Sequence, residues 1–241
     1  GEELYKEMPE VDIFLGVNDY PSLPEILENH VQGQREKYLS VYEKGFLTGR
    51  RKQMEASHSA TIKIAEGCNN VCAYCVIPSI RGPFRSRRME DIISEAQLLA
   101  AEGCKEIILI AQDVTAYGMD IYGELKLASL LKELCRIEDL HWIRLMYCYE
   151  DRITDELIEV MAAEVKICHY IDIPIQHASD KILKAMHRRS TKSSIIDTIS
   201  RLRKAIPDIH IRTTLITGFP GEGAEEFEEL VEFVETQKFE R

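Results

Sequence analysis

Three cysteines with short, regular spacing are the residues of this sequence best suited to chemistry. In the stretch EGCNNVCAYC, Cys68, Cys72 and Cys75 follow the pattern C-x3-C-x2-C within eight residues. Thiolates this close together can bind one metal centre, but structural zinc sites and most iron–sulfur clusters take four protein ligands. No second C-x2-C pair follows in the sequence. The shortfall predicts an open coordination position at which a small molecule can bind.

The spacing alone leaves the metal open. Zinc would need a fourth ligand such as His58, His169 or His177, and each of these lies in or beside a different predicted strand. An iron–sulfur cluster suits soft thiolates better. A [4Fe–4S] cluster held by three cysteines keeps one iron free of protein, and S-adenosylmethionine (SAM) has an amine and a carboxylate that can chelate it. SAM with such a cluster supports radical chemistry, so this interpretation is favoured over zinc or free thiols.

Composition excludes several other classes of protein. The chain has 241 residues, of which 45% are hydrophobic, and a net charge of -11, which argues against a broad nucleic-acid surface. No apolar run approaches the roughly 20 residues needed to cross a bilayer, and the polar start is no signal peptide. Seven cysteines, an odd number, do not form a secreted disulfide framework, and the four outside the cluster are expected to be buried. We therefore expect a cytoplasmic monomer that does not bind membranes.

The cysteines follow the first of five apolar, strand-like runs that alternate with amphipathic helices. The predicted strands are Thr61–Ala65, Glu106–Ala111, Trp142–Tyr147, Tyr170–Ile175 and His210–Thr217. The predicted helices are Arg88–Ala101, Leu125–Arg136, Thr154–Ala163, Ser179–Met186, Lys192–Ala205 and Ala224–Thr236. Such alternation predicts a parallel sheet covered by helices and favours a barrel or partial barrel.

Polar or conformationally special residues end or follow each predicted strand, where parallel α/β folds place their chemistry. They are Glu66 and Gly67; Gln112, Asp113 and Thr115; Tyr147 and Tyr149; Gln176 and His177; and Thr217, Gly218, Pro220 and Gly221. Taken singly, these residues could be helix caps, rim aromatics or a Gly-Pro turn. The segment RGPFRSRR could be solvated or could bind an anionic group.

Residues 1–57 have a different pattern from residues 58–241, which we assign to one domain. Val11–Gly16 is predicted as a lone strand and Ser22–His30 as a short helix. The polar stretch Gln32–Ser57, which includes GRRK, is predicted as a linker.

Longer stretches around these residues resemble a known family, the radical-SAM methylthiotransferases. The resemblance is carried by KIAEGCNNVCAYCVIPSIRGPFRSR, AQDVTAYGMD, IDIPIQHASDKILKAMHR and IRTTLITGFPGE. AQDVTAYGMD and RLMYCYEDRIT look like the branch that modifies a ribosomal protein, whereas the branch that modifies tRNA adenosine usually has a GQNVN-like stretch. Two positions depart from the family: Glu150 stands where proline is frequent, and Gly223 where threonine is frequent.

The resemblance implies a fold and a reaction. The fold is α/β: a partial (β/α)6-type, TIM-like radical-SAM barrel in residues 58–241, truncated at its C-terminal end, with residues 1–57 as the remnant of an N-terminal α/β domain plus a linker. A second [4Fe–4S] cluster is expected in the missing N-terminal domain, and a C-terminal domain is also expected to be missing. The reaction adds a methylthio group to the β-carbon of an aspartate in a small-subunit ribosomal protein through a 5′-deoxyadenosyl radical. A tRNA adenosine substrate is the alternative, as is a metal-binding module without activity.

The resemblance also implies roles for individual residues, although no catalytic residue is assigned. The three cysteines hold the [4Fe–4S] cluster, and SAM occupies the open iron. Implied SAM contacts are Tyr74, Ile216 and Gly218 at the adenine, Gln112 and Asp113 at the methionine part or the substrate, Gln176 and His177 at the ribose, and Arg212 at the carboxylate. An electron donor and a sulfur donor are the other expected partners.

Overall fold

A computed structural model describes residues 2–40 and 58–241 of the chain. The chain divides into two compact units, Gly1–Arg51 and Lys52–Arg241. The predicted domain boundary after residue 57 stays a prediction, because part of the predicted linker, including GRRK, lies outside the described residues. Within the described ranges, no helix has both the length and the apolar character needed to cross a membrane.

In residues 2–40, the first unit contains two α-helices and two paired strands. Its elements are α1 (Glu2–Glu7), β1 (Ile13–Leu15), α2 (Leu23–Asn29) and β2 (Glu36–Tyr38). The prediction of a lone strand is wrong, because β1 pairs in parallel with β2, inside the segment predicted as a linker. Arg35 holds β2 there: its Nε donates to the Val11 carbonyl at 3.0 Å and its guanidinium lies 4.3 Å from the Tyr5 ring centroid. The charged sequence of β2 lacks the apolar alternation that predicts a strand.

The second unit contains every strand and helix predicted after residue 58. Its strands are β3 (Ser59–Lys63), β4 (Ala65–Glu66), β5 (Arg85–Ser86), β6 (Glu106–Ile110), β7 (Trp142–Leu145), β8 (Tyr170–Asp172) and β9 (His210–Arg212). Its helices are α3 (Ile77–Arg81), α4 (Met89–Ala101), α5 (Leu127–Cys135), α6 (Asp155–Ala163), α7 (Asp180–Ala185), α8 (Lys192–Ala205) and α9 (Ala224–Gln237). The short elements α3, β4 and β5 were not predicted.

The five main strands are parallel and follow one another in chain order, which confirms the predicted α/β fold. β3, β6 and β7 form one sheet, and β8 and β9 form another. The two sheets meet through a bridge between Ile143 and Ile167 and a 2.8 Å bond from the Cys148 amide to the Asp172 carbonyl. This arrangement places the carboxyl ends of all five strands along one rim.

The two faces of the strands differ in polarity. On one face, residues such as Ile62, Leu109 and Ile143 are fully buried among the helices, each contributing about 1.5–3 kcal/mol of hydrophobic stabilisation. The other face carries ion pairs, including Glu106 with Arg144 at 2.7 Å. The strands therefore alternate between apolar and polar positions.

The four cysteines outside the cluster motif divide evenly in burial. Cys104 and Cys148 are buried as predicted, whereas Cys135 and Cys168 are half-buried.

Candidate functional site

The cysteine loop leaves the sheet at Gly67 and returns at β5. β4 and β5 pair antiparallel, with Ala65 opposite Ser86, and so close the base of the loop. Gly67 has φ +78°, and a Cβ there would lie 2.2 Å from the Pro83 carbonyl oxygen. Only glycine fits this position, because both the backbone conformation and the close approach exclude a side chain.

Backbone and amide hydrogen bonds hold the rest of the loop. The Cys68 amide donates to the Gly82 carbonyl at 3.1 Å, and the Phe84 amide donates to Asn69 Oδ1 at 3.0 Å. The Ala73 amide donates to the carbonyl of Met186 at 3.0 Å, just beyond α7. The loop is thus fixed on both sides, once by the β5 segment and once by the α7 end.

The three cysteines of the motif line one cavity of about 450 Å³ at the carboxyl ends of the strands. This volume lies in the usual range for small-molecule sites. Residues that follow β6, β7 and β8 complete its wall, among them Gln112, Tyr147, Tyr149 and Gln176. Arg188, which follows α7, also lines it. Tyr149 directs its hydroxyl oxygen to within 3.6 Å of Cys72 Sγ.

Some of the residues predicted to contact SAM lie on this cavity. Tyr74, Gln112 and Gln176 line it. Gln112 is the most informative of the three: its Oε1 is buried and has no hydrogen-bond partner within the described parts of the chain. A buried acceptor without a partner is costly, so a bound molecule that donates a hydrogen bond fits this wall.

Other predicted contacts lie elsewhere. His177 is fully buried; its Nδ1 accepts from the Ser179 amide at 2.9 Å, and its Nε2 lies 3.7 Å from Glu222 Oε1. Arg212 lines a second cavity, of about 420 Å³, and pairs with Asp172 at 2.9 Å. Neither side chain lines the cysteine cavity.

Ile216 and Gly218 also lie outside the residues that line the cysteine cavity. Their predicted contacts with the adenine stay predictions. Asp113 is buried beside the cavity, and its carboxylate is occupied by partners within the protein.

A buried ion pair that the sequence did not reveal includes Arg188, one of the residues that line the cavity. Arg188 Nη2 donates to both carboxylate oxygens of Glu150 at 2.6 Å, and the Ser190 hydroxyl also donates to that carboxylate. The Arg188 guanidinium lies 4.0 Å from the ring centroid of Tyr149. Burial, the largest single influence, lowers the pKa of Arg188, but the Glu150 carboxylate together with Tyr149 and Tyr74 outweighs it, so the pKa of Arg188 is raised. The only sequence signal was Glu150 itself, standing where the family often has proline.

Three residues around the cavity have left-handed backbone conformations although none is glycine. Tyr147, Gln176 and His187 have φ of 62°, 71° and 57°. The Tyr147 amide donates to Asp172 Oδ2 at 3.2 Å, and the Gln176 amide donates to the Thr214 carbonyl at 2.9 Å. Such conformations cost free energy and are concentrated at functional sites.

The segment RGPFRSRR is largely part of the folded structure. Phe84 and Ser86 are buried. The Ser86 hydroxyl donates to Asp120 Oδ1 at 2.6 Å, and the Ser86 amide donates to Asp120 Oδ2 at 2.8 Å. Arg87 pairs with Glu95 at 2.7 Å. The interpretation of this segment as simply solvated is wrong for these residues.

The donor set suits a cluster better than a single ion. Across residues 2–40 and 58–241, no three His, Cys, Asp or Glu side chains converge closely enough to hold one metal ion. Zinc needs its ligand atoms about 2.0–2.3 Å from one point, whereas thiolates of an iron–sulfur cluster bind separate irons. His169, a candidate fourth ligand for zinc, instead has its Nδ1 2.7 Å from Asp208 Oδ1. Three thiols that line a cavity of about 450 Å³, beside the unpartnered Gln112 Oε1, therefore fit a cluster and a bound cofactor.

Comparisons with known proteins agree with this geometry. The profile of the Radical SAM superfamily matches residues 62–234. Two curated relatives are named ribosomal protein uS12 methylthiotransferase RimO. The one from Clostridium botulinum (strain Eklund 17B / Type B) is 53% identical and the one from Alkaliphilus oremlandii (strain OhILAs) is 50% identical, over 100% of this chain and 54% of each relative. The chain therefore spans about half the length of the curated relatives it matches.

A solved structure shows the same fold at low sequence identity. It is the radical S-adenosylmethionine methyltransferase TsrM from Kitasatospora setae with tryptophan substrate and a SAM analog bound. It matches with a TM-score of 0.64 and 17% identity, over 80% of this chain and 38% of that chain.

Proposed function

This chain belongs to the Radical SAM superfamily, and from that premise we propose that it is the catalytic core of a methylthiotransferase that modifies ribosomal protein uS12. The observation that carries the proposal is the cavity itself, which joins all three motif cysteines to the ends of several parallel strands. Two uS12 methylthiotransferases are 53% and 50% identical to this chain over its whole length, which supports uS12 as the substrate. The acceptor is the β-carbon of an aspartate, as the family resemblance implies.

The finer fold assignment is part of the same proposal. Five parallel strands that alternate with helices fit an incomplete (β/α)6 barrel of the radical-SAM type. Residues 1–57 fit a remnant of a preceding α/β domain, since β1 and β2 form a small parallel sheet there. A second cluster, expected from the family resemblance, would be held by residues outside this chain.

Cys68, Cys72 and Cys75 would hold a [4Fe–4S] cluster, with SAM in the adjoining cavity. Together these groups supply a radical able to remove hydrogen from an unactivated carbon. Gln112 Oε1, buried and without a partner in the described residues, would accept a hydrogen bond from the cofactor, and Tyr74 and Gln176, which line the same cavity, would contact it. The walls of the cavity keep bulk water from the reacting carbon.

Four further residues keep more limited roles in the proposal. His177 acts indirectly, by joining its own loop to Glu222. The predicted contacts of Arg212, Ile216 and Gly218 with SAM rest on their positions in the last predicted strand and just after it, together with the family resemblance.

An electron donor, a sulfur donor and a cytoplasmic location complete the proposal. We also propose that this chain by itself cleaves SAM without completing methylthiolation, since the family resemblance implies a second cluster that residues outside this chain would hold. Complete turnover by the isolated chain would contradict that part.

Mass spectrometry of cells that lack the full-length protein tests the substrate. We expect uS12 to lose a methylthio group while tRNA adenosines keep theirs, and a plasmid copy should restore the modification. A copy with Cys72→Ala should not restore it, while a copy with Cys135→Ala, a cysteine outside the cavity, should. Loss of the group from tRNA with uS12 unchanged would instead support the tRNA alternative.

A further inference from the structure

Both oxygens of the Asp113 carboxylate accept hydrogen bonds from other side chains of the protein. The side chain is 2% exposed. Arg152 Nη1 donates to Oδ2 at 2.5 Å, and the Thr115 hydroxyl donates to Oδ1 at 2.6 Å. The Ala116 amide makes a further, longer contact to Oδ1 at 3.3 Å. A carboxylate bound in this way has little capacity left for a cofactor.

Asn70 connects this buried pair to the cysteine loop. Its Nδ2 donates to Asp113 Oδ2 at 3.1 Å, and its Oδ1 accepts from Arg152 Nη2 at 3.2 Å. The three side chains therefore form a closed triangle of hydrogen bonds. Asn70 lies between Cys68 and Cys72, and its own amide donates to Cys68 Sγ at 3.4 Å.

The three corners of the triangle come from separate parts of the chain. Asn70 belongs to the cysteine loop, Asp113 ends the turn after β6, and Arg152 lies in the turn after β7. Hydrogen bonds to charged groups are among the stronger ones, and a buried charge that loses its partner is costly. The triangle therefore resists any movement of the loop away from the strand ends.

We propose that Asp113 and Arg152 are positioning residues that hold Asn70, and through it the cysteine loop, in the conformation that binds the cluster. The inference rests on the proposed function, because it takes the three cysteines as the cluster ligands. It replaces direct contact between Asp113 and SAM by an indirect role. The aspartate of AQDVTAYGMD then matters because only a carboxylate both neutralises Arg152 and accepts from Asn70.

Two variants and one matched control test this inference. Asn70→Ala cuts the link between loop and ion pair but leaves Asp113 and Arg152 paired, so the protein keeps its buried charges matched. Asp113→Asn leaves Arg152 without its carboxylate. Glu106→Gln is the control, because Glu106 also pairs with an arginine of the sheet, Arg144 at 2.7 Å, but does not line the cysteine cavity.

Hydrogen exchange on the cluster-free protein measures how firmly the Asn70–Asp113–Arg152 triangle holds the cysteine loop when no cluster is bound. The Ala73 amide, bonded to the Met186 carbonyl, reports on the loop. We expect its exchange to be about tenfold faster in Asn70→Ala and in Asp113→Asn than in the wild type. In Glu106→Gln we expect it to be unchanged. Equal exchange in all four proteins would overturn the inference.

The reconstituted protein provides the second measurement. Residues that orient metal ligands typically change metal affinity by about 10–100-fold when they are replaced. We expect iron to be lost to a chelator at least about tenfold faster in both variants, with a shifted reduction potential of the cluster that remains. A wild-type potential and wild-type iron loss in both variants would contradict a positioning role. If the wild type bound no cluster while the Ala73 amide still exchanged faster in the variants, the cluster assignment would fail. The role of the triangle in holding the cysteine loop would still be supported.

Discussion

The Glu150–Arg188 pair gives a stability prediction whose size follows from its burial. Their side chains are 2% and 3% exposed, and the shortest contact is 2.6 Å, so solvent does not screen the pair. Glu150→Ala leaves the buried Arg188 guanidinium without its carboxylate partner and removes the acceptor of the Ser190 hydroxyl. Breaking a buried pair on one side costs about 3–5 kcal/mol. We expect the free energy of unfolding to fall by that amount.

Urea unfolding of the cluster-free protein, followed by the fluorescence of the single tryptophan, measures this cost. Trp142 lies in β7 and so reports on the second unit. Glu133→Ala is the control: its exposed pair with Arg136, also at 2.6 Å, contributes about 0–1 kcal/mol. The double variant Glu150→Ala/Arg188→Met should recover part of the loss. A Glu150→Ala protein within about 1 kcal/mol of the Glu133→Ala control would refute the reasoning.

Two further predictions concern a glycine and a helix start. Gly67→Ala should abolish iron binding, because its Cβ would lie 2.2 Å from the Pro83 carbonyl oxygen. Gly103→Ala is the control: Gly103 has φ +99° and no atom within 4 Å of the added Cβ, so the variant should lose only about 1–2 kcal/mol of stability and keep its iron. Equal iron content in the two variants would contradict this prediction. The hydrogen bond from Lys181 lowers the pKa of Glu226 below 4.5, so its contribution to stability is present above pH 4.5 and lost in more acid solution. In an acid titration, Glu226→Gln should lose less stability below pH 4.5 than the wild type. The same dependence of stability on pH in both proteins would contradict this prediction.

Much of the fold and part of the site could be predicted because the signals are local. Strand and helix periodicity needs only neighbouring residues, and the rule that chemistry lies at strand ends placed Gln112 and Gln176 on the cavity. The remainder depends on contacts between distant residues. Asn70 and Arg152 are 82 residues apart, and no local pattern indicates that they meet.

The same limit applies to the predicted roles. Asp113 and His177 have the residue types and positions of cofactor contacts, yet tertiary packing buries both and gives them protein partners. The sequence does not predict strand β2 for a similar reason: Arg35 holds the strand in place, and the strand has no apolar pattern of its own.

SAM cleavage by the reconstituted chain tests most directly whether the three motif cysteines form a radical-SAM centre. The protein would be reconstituted with iron and sulfide without oxygen, reduced with dithionite in the presence of SAM, and assayed for 5′-deoxyadenosine by chromatography. We expect 5′-deoxyadenosine from the wild type and from Cys135→Ala, and none from Cys72→Ala. A wild type that carries a full cluster and yields no 5′-deoxyadenosine, or a Cys72→Ala variant that yields as much as the wild type, would contradict the assignment.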